Sequence, residues 1–359
     1  MIRVFVVDDS AFARRATTRV LSADPEVQIV GEAASGADAL ARIPEAQPDV
    51  VTLDLDMPGM NGLVVLRALL ARNPALRVVM LSAHTREGAE ATLEALTAGA
   101  LDFIDKSRYG LMDLEGFGRE LRERVKALAG GRADGSRASA SRAATGRAAP
   151  PAGPVVRAPA RPLALDLCVL GASTGGPAAI QTVLEQLPVD FPVPIAIVQH
   201  MPPGFTRPFA IRLDAHCRLR VSEAEQGEQL GTGRVVIAPA GRHLTFTPDL
   251  GLVLSAEPAE ARHIPSVNVM MLAAARARPG RVLGVLLTGM GDDGAEGMAA
   301  IRAGGGVTVA ESEESCVVYG MPRAAAERGG VDRLLPIAAL AEWLGGLRVA
   351  SPAAAPVRR

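Results

Sequence analysis

Along residues 1–129, short apolar runs alternate with stretches whose apolar residues recur every three to four positions. IRVFVV, VQIVGEA, DVVTL, RVVML and LDFI read as strands, and helical patterns follow near residues 11–22, 36–43, 61–72, 86–98 and 113–129. Five such units predict a parallel sheet with helices on both faces, a flavodoxin-like α/β module. Residues 163–348 alternate in the same way. LDLCVLGA, PIAIVQ, RVVIAP, RVLGVLLTG and GVTVAE are strand-like, and helices are expected after Gly176, Gly204, Pro265, Gly294 and Met321. HLTFTPDLGLVLS (243–255) reads as a β-hairpin turning at Pro248–Gly251. This pattern predicts a second doubly wound, mostly parallel α/β sheet with an antiparallel excursion.

Composition changes between the two modules. Residues 130–162 are almost all Gly, Ala, Ser, Pro and Arg, with one acid, Asp134, and no aromatic residue. Such a stretch buries too little apolar surface to offset its ordering entropy, so it reads as a flexible linker. Its arginines also suit a nucleic-acid arm, but no aromatic residue is interleaved for base stacking. Residues 349–359 read as a disordered tail. Over 359 residues, 38 Lys and Arg face 39 Asp and Glu, which gives no whole-chain argument for nucleic acid or an anionic membrane. No stretch approaches the roughly 20 apolar residues of a membrane-spanning helix. The opening MIRVFVVDDS turns acidic too soon for a signal peptide. Cys168, Cys217 and Cys316 show neither a disulfide framework nor metal-ligand spacing. A monomeric, cytoplasmic protein is the expectation.

In the first module the chemistry sits where the strands end. Strand one ends in Asp8-Asp9, strand three in Asp54 and strand four in Ser82, and Lys106 follows strand five. Carboxylates converging on one rim repel unless a cation sits there, and oxygen ligands suit Mg²⁺. A hydroxyl and an ammonium nearby suit a phosphoryl group. Taken singly, each residue is also ordinary loop polarity, and acids at loop starts commonly cap helices. VVDDS (6–10), LDLDMPGMNG (53–62), LSA (81–83) and DFIDK (102–106) resemble response-regulator receiver domains. The resemblance implies Asp54 as phospho-acceptor, Asp8, Asp9 and Asp54 as Mg²⁺ ligands, and Ser82 and Lys106 as phosphoryl-binding residues. It makes Phe103 the aromatic switch. Ser107 stands where the family usually has Pro, which bears on the local turn.

In the second module three loops stand out. GASTGG (171–176) lies between an apolar strand and a helix and exposes Ser173 at a tight turn, as a nucleophile or as an N-cap. QHMPPGF (199–205) puts His200 at a second strand end, and TGMGDDGAEGM (288–298) puts Asp292 and Asp293 at a third. A serine, a histidine and an acid on one rim can form a hydrolytic triad. The rival is a dinucleotide site. Gly289 to Gly294 fits G-x-G-x-x-G, and Glu311 follows near the ribose-binding distance. Two carboxylates would then face the pyrophosphate, which disfavours that reading.

GASTGGP (171–177), VQHMP (198–202), LTGMGDDGAEGM (287–298) and ESEESCVVYGMPRAA (311–325) resemble the catalytic domain of chemotaxis protein-glutamate methylesterases. By that resemblance Ser173 is the nucleophile, His200 the general base, Asp293 the orienting acid and Met290 an oxyanion contact, with no cofactor in the esterase site. Cys316 reads as a small buried residue. The implied reaction is hydrolysis of γ-glutamyl methyl esters on methyl-accepting chemoreceptors, with deamidation of receptor glutamines as a side activity. A chemosensory histidine kinase would phosphorylate Asp54, and the unphosphorylated receiver would restrict the esterase. A phosphate-sink or scaffold role with a vestigial hydrolase centre is the alternative.

Overall fold

The apolar runs of the N-terminal module form five parallel strands: β1 (Ile2–Val7), β2 (Val27–Ala33), β3 (Val50–Asp54), β4 (Arg77–Ser82) and β5 (Asp102–Asp105), in the order β2-β1-β3-β4-β5. This computed structural model describes residues 1–82, 86–109, 113–130 and 163–349, with two compact units on either side of residues 147/148. The expected linker (131–162) and tail (350–359) lie outside the described residues, as does Ala83. β3 and β5 are buried at every position, as strands covered on both faces must be. Helices α1 (Ala11–Ser22) and α5 (Leu114–Gly130) pack together, while α2 (Gly36–Ala46) packs on α3 (Gly62–Arg72), and α3 on α4 (Arg86–Thr97).

Three boundaries differ from the sequence reading. α5 continues to Gly130, one residue into the expected linker, and Val349 pairs with Leu163 in a parallel bridge and so does not belong to a tail. α2 runs through Pro44, where an end was expected. Proline cannot donate to the carbonyl four residues back. That carbonyl, of Leu40, accepts a hydrogen bond from Arg72 Nη1 at 3.1 Å instead, which removes much of the cost of the break.

The C-terminal unit holds a seven-stranded, all-parallel sheet in the order β14-β13-β12-β6-β7-β9-β8. Its strands are β6 (Leu167–Ala172), β7 (Ile195–Gln199), β8 (Arg220–Glu223), β9 (Arg234–Ile237), β12 (Val282–Leu286), β13 (Val307–Glu311) and β14 (Arg333–Leu335). The predicted hairpin forms as β10 (His243–Phe246) and β11 (Leu252–Ser255), an antiparallel pair in a sheet of its own. Five helices start where expected: Gly176–Gln186, Thr206–His216, Val267–Ala277, Ala295–Ala303 and Met321–Glu327. β8, β14 and the helix Ile337–Gly345 were not anticipated.

This topology fixes where a site can lie. From β6 the chain moves outward through β7 and later returns to β12 on the other side of β6. The helix after β6 packs with Ile337–Gly345, and the helix after β12 packs with Val267–Ala277 and Met321–Glu327. The chain therefore leaves β6 and β12 toward different helices, and the carboxyl ends of such strands are the usual ligand position in open α/β sheets. Beneath it lies a core that includes Val169, Val198, Val267, Met270, Leu286 and Met298. Each such side chain contributes about 1.5–3 kcal/mol by leaving water.

Candidate active site

Register brings the nucleophile and base candidates together. Ala172 at the end of β6 pairs with Gln199 at the end of β7, so Ser173 and His200 are the next residues on adjacent strands. The His200 amide donates to Ala172 O at 3.1 Å, and the Ser173 amide donates to Thr288 O at 3.0 Å, which ties the β6 loop to the β12 loop. Asp293 reaches His200 from that second loop: Nε2 lies 2.8 Å from Oδ2. Ser173 Oγ makes no hydrogen bond among the described residues, and His200 Nδ1 is buried without a partner. The one basic nitrogen left open on the imidazole is thus Nδ1.

Asp293 is held as an anion by more than the histidine. Oδ1 accepts from Ser266 Oγ and from the Asn268 amide, both at 2.8 Å, and Oδ2 also accepts from the Val267 amide at 2.7 Å. These amides are the first turn of the helix Val267–Ala277, whose unpaired N–H groups and dipole favour an anion. Burial alone would raise this carboxyl. The bonds from His200, Asn268 and Val267 outweigh it and hold the group down at about 2. Asp292, its neighbour, is exposed and 3.9 Å from Arg328.

Three contributors to this site were missed in the sequence. Ser266 caps the helix and donates to Asp293. His243, wholly buried, accepts from the Ser266 amide at Nδ1 (3.1 Å) and has Nε2 3.2 Å from Pro258 O, an arrangement that fixes it as the neutral Nε2–H tautomer. His263 stacks on His200, with ring centroids 4.2 Å apart and planes at 19°. Pro265–Ser266 just before a helix was the available signal for the first of these.

Met290 is half-buried, and its backbone N–H has no partner among the described residues, as an oxyanion donor requires. The dinucleotide reading fails on the loop itself. A Cβ at Gly289 would lie 2.8 Å from Ser173 Cβ and 2.3 Å from Met321 Sδ, so this glycine is spent on packing against the Ser173 turn. Glu311 is 1% exposed and accepts from the Thr288 amide (2.9 Å) and Ser315 Oγ (2.8 Å), so it is not free to take a ribose. Cys316 is buried, and burial with the nearby Glu311 pushes its thiol well above the ordinary range. That suits packing and not nucleophilic attack.

On the N-terminal unit, the carboxylate oxygens of Asp8, Asp9 and Asp54 lie within 4.8 Å of one another. Lys106 Nζ sits 2.8 Å from Asp54 Oδ1 and 3.3 Å from Asp8 Oδ2. Burial lifts the Asp54 carboxyl to about 6 although Lys106 pulls it down. Burial would lower the Lys106 ammonium, but Asp54 and Asp8 hold it above its ordinary value. Three acids, of which Asp8 and Asp54 are buried and Asp9 exposed, against one ammonium are unbalanced in charge, and their all-oxygen donor set fits a hard divalent cation. Ser82 pairs in register with Asp105, next to Lys106, and its Oγ lies 2.8 Å from Thr92 Oγ1. Phe103 is buried. At the Ser107 departure, Asp105 caps a short 3₁₀ turn by accepting from the Ser107 amide (2.9 Å) and hydroxyl (2.6 Å).

Residues 168–344 match the family described as CheB methylesterase, and residues 4–110 the response regulator receiver domain. The chain is 44% identical over 366 aligned positions to a protein-glutamate methylesterase/protein-glutamine glutaminase of Oleidesulfovibrio alaskensis, covering 95% of this chain and 98% of that protein. It is 46% identical over 332 positions to one of Myxococcus xanthus, covering 91% and 92%. Among solved structures, the catalytic domain of the Thermotoga maritima CheB methylesterase is 39% identical and covers 51% of this chain and 98% of that chain, with a TM-score of 0.49. With relatives of this identity matched along nearly their whole length, the chain belongs to the protein-glutamate methylesterase/protein-glutamine glutaminase family.

Proposed function

We propose that this chain hydrolyses γ-glutamyl methyl esters on methyl-accepting chemoreceptors with Ser173, His200 and Asp293, under control of phosphorylation at Asp54. The observation that carries the esterase reading is the His200–Asp293 bond of 2.8 Å beside Ser173. Asp293 fixes the proton on Nε2, so Nδ1 takes the Ser173 proton as Oγ attacks the ester carbonyl. The Met290 N–H, without a partner among the described residues, would donate to the oxyanion that develops. His200 returns the proton to the leaving oxygen, releasing methanol and leaving Ser173 acylated. Water then attacks the acyl carbon, again losing its proton to His200, and the released product is glutamate with Ser173 restored. With a receptor glutamine the same steps expel ammonia.

On the receiver, Asp8, Asp9 and Asp54 would hold Mg²⁺, which when bound supplies positive charge for the incoming phosphoryl oxygens. Asp54 accepts the phosphoryl group from a chemosensory histidine kinase, and Lys106 and Ser82 bind its oxygens. Among the described residues no helix is long and apolar enough to cross a membrane, and a cytoplasmic site of action fits receptor signalling helices as substrate. Family membership favours the enzyme over a phosphate-sink or scaffold role. Methanol release from methylated receptors tests the esterase reading. Ser173→Ala abolishes it with the circular dichroism spectrum unchanged, and activity near wild type would remove Ser173 from the nucleophile role.

A further inference from the structure

Gln199 is the last residue of β7, sits between the Ser173 and His200 main chains, and is 2% exposed. Its Nε2 donates to Ser173 O at 2.9 Å and to His200 O at 3.1 Å. Two carbonyls can only accept, so the orientation of the carboxamide is fixed by its partners. The consequence is that Oε1 is buried with no hydrogen-bond partner among the described residues. A site for the group is kept open by Gly176: a Cβ there would stand 2.0 Å from Gln199 Oε1. Oε1 therefore rests on the first residue of the helix Gly176–Gln186, where the positive end of the helix dipole offsets part of the missing bond.

An apolar side chain of the same length would fill this volume without burying an unpaired oxygen, a cost that native interiors generally avoid. What the carboxamide adds is a link that an apolar chain cannot make. Ser173 O is held twice, by Gln199 Nε2 and by the Gly176 amide at 2.8 Å, and the other end of the Gln199 link is the carbonyl of the base. We propose that Gln199 is a positioning residue of the esterase: its carboxamide clamps the nucleophile and base main chains to each other, and so fixes the relative placement on which Oγ-to-imidazole proton transfer depends. The inference rests on Ser173 and His200 being nucleophile and base.

The experiment uses the full-length protein, activated with a small phosphodonor and Mg²⁺, on methylated receptors. Gln199→Met keeps the length and removes both donors. Gln199→Asn keeps an amide one methylene too short to span, and serves if the Met variant does not fold. The folded fraction is read from the fluorescence of Trp343, the single tryptophan, buried at 1% exposure. The clamp predicts that kcat per folded molecule falls on the order of 10–100-fold, the scale of a sub-ångström to ångström misplacement, with KM within about two-fold of wild type. A merely structural role would lower the unfolding midpoint and the folded fraction and leave kcat per folded molecule unchanged, and that result overturns the proposal. Ser173→Ala runs in parallel. If it is inactive while Gln199→Met turns over normally, the clamp alone fails; if it stays active, the nucleophile assignment fails first.

Discussion

Replacing Asp293 by Asn tests the proposed orienting acid against its neighbour Asp292. In the wild type, Asp293 Oδ2 accepts from Nε2, so His200 carries its proton there and keeps Nδ1 basic. An amide at position 293 can keep its oxygen on Ser266 and the Asn268 amide. Its NH₂ then meets the Val267 amide donor against donor, and donates to Nε2. The histidine proton moves to Nδ1, where it can no longer accept from Ser173. In a serine hydrolase of known mechanism this error of tautomer costs about 10⁴-fold in turnover, and a loss of that order is expected here. Stability changes too. A carboxyl held at about 2 against 3.8 in the unfolded chain contributes about 2 kcal/mol. Because the folded value is the lower one, that contribution is complete above about pH 4 and fades as pH falls through about 2. The variant is therefore less stable than wild type by about 2 kcal/mol at neutral pH, and the gap closes in acid. Asp292→Asn removes only an exposed charge near Arg328 and keeps turnover within about three-fold. Methanol release and denaturant titration followed by Trp343 fluorescence measure both quantities. Equal losses at 292 and 293, or the reverse order, would refute the argument.

Ser266→Ala removes one of the bonds to Asp293 and the cap of its helix, and is expected to cost about 1 kcal/mol in denaturant titration with a several-fold lower kcat. Gly289→Ala places a methyl 2.8 Å from Ser173 Cβ and 2.3 Å from Met321 Sδ, so kcat per folded molecule is expected to fall by on the order of 10²-fold, and the overpacking is expected to cost about 1–3 kcal/mol in denaturant titration. The segment from residue 162 onward is expected to be more active than the unphosphorylated full chain. A small phosphodonor with Mg²⁺ raises full-length activity, and Asp54→Asn shows no response. Steady-state methanol release on these three proteins decides it, and an isolated segment no faster than the resting full chain would refute inhibition by the receiver.

What the sequence made legible follows from what each residue does locally. Strands such as LCVLGA and IAIVQ are continuous apolar runs because both faces of a parallel sheet are covered. β8 and β14 lie at the two edges of that sheet, are four and three residues long, and carry exposed arginines at Arg220 and Arg333, so no periodic signal marks them. The helix Ile337–Gly345 is apolar nearly all round because Leu340, Ala341, Trp343 and Leu344 are all buried, which erases the amphipathic stripe. Pro44 hid the end of α2 because Arg72, 32 residues from Leu40, takes over the carbonyl that the proline leaves. The candidates Ser173, His200 and Asp293 could be picked out because each follows a recognisable strand in a distinctive loop. Ser266, His243, His263 and Gln199 were not, because their roles exist only through neighbours brought close by the fold.

The most direct test of the account is mass spectrometry of methylated receptor peptides incubated in ¹⁸O-labelled water with wild type, Ser173→Ala and His200→Ala proteins. Attack by Ser173 on the acyl carbon predicts that wild type converts each methyl-ester glutamate to glutamate carrying one ¹⁸O in its carboxylate, with unlabelled methanol released. Both variants are expected to leave the esters intact. Unlabelled glutamate with ¹⁸O in the methanol, or full conversion by Ser173→Ala, would contradict it.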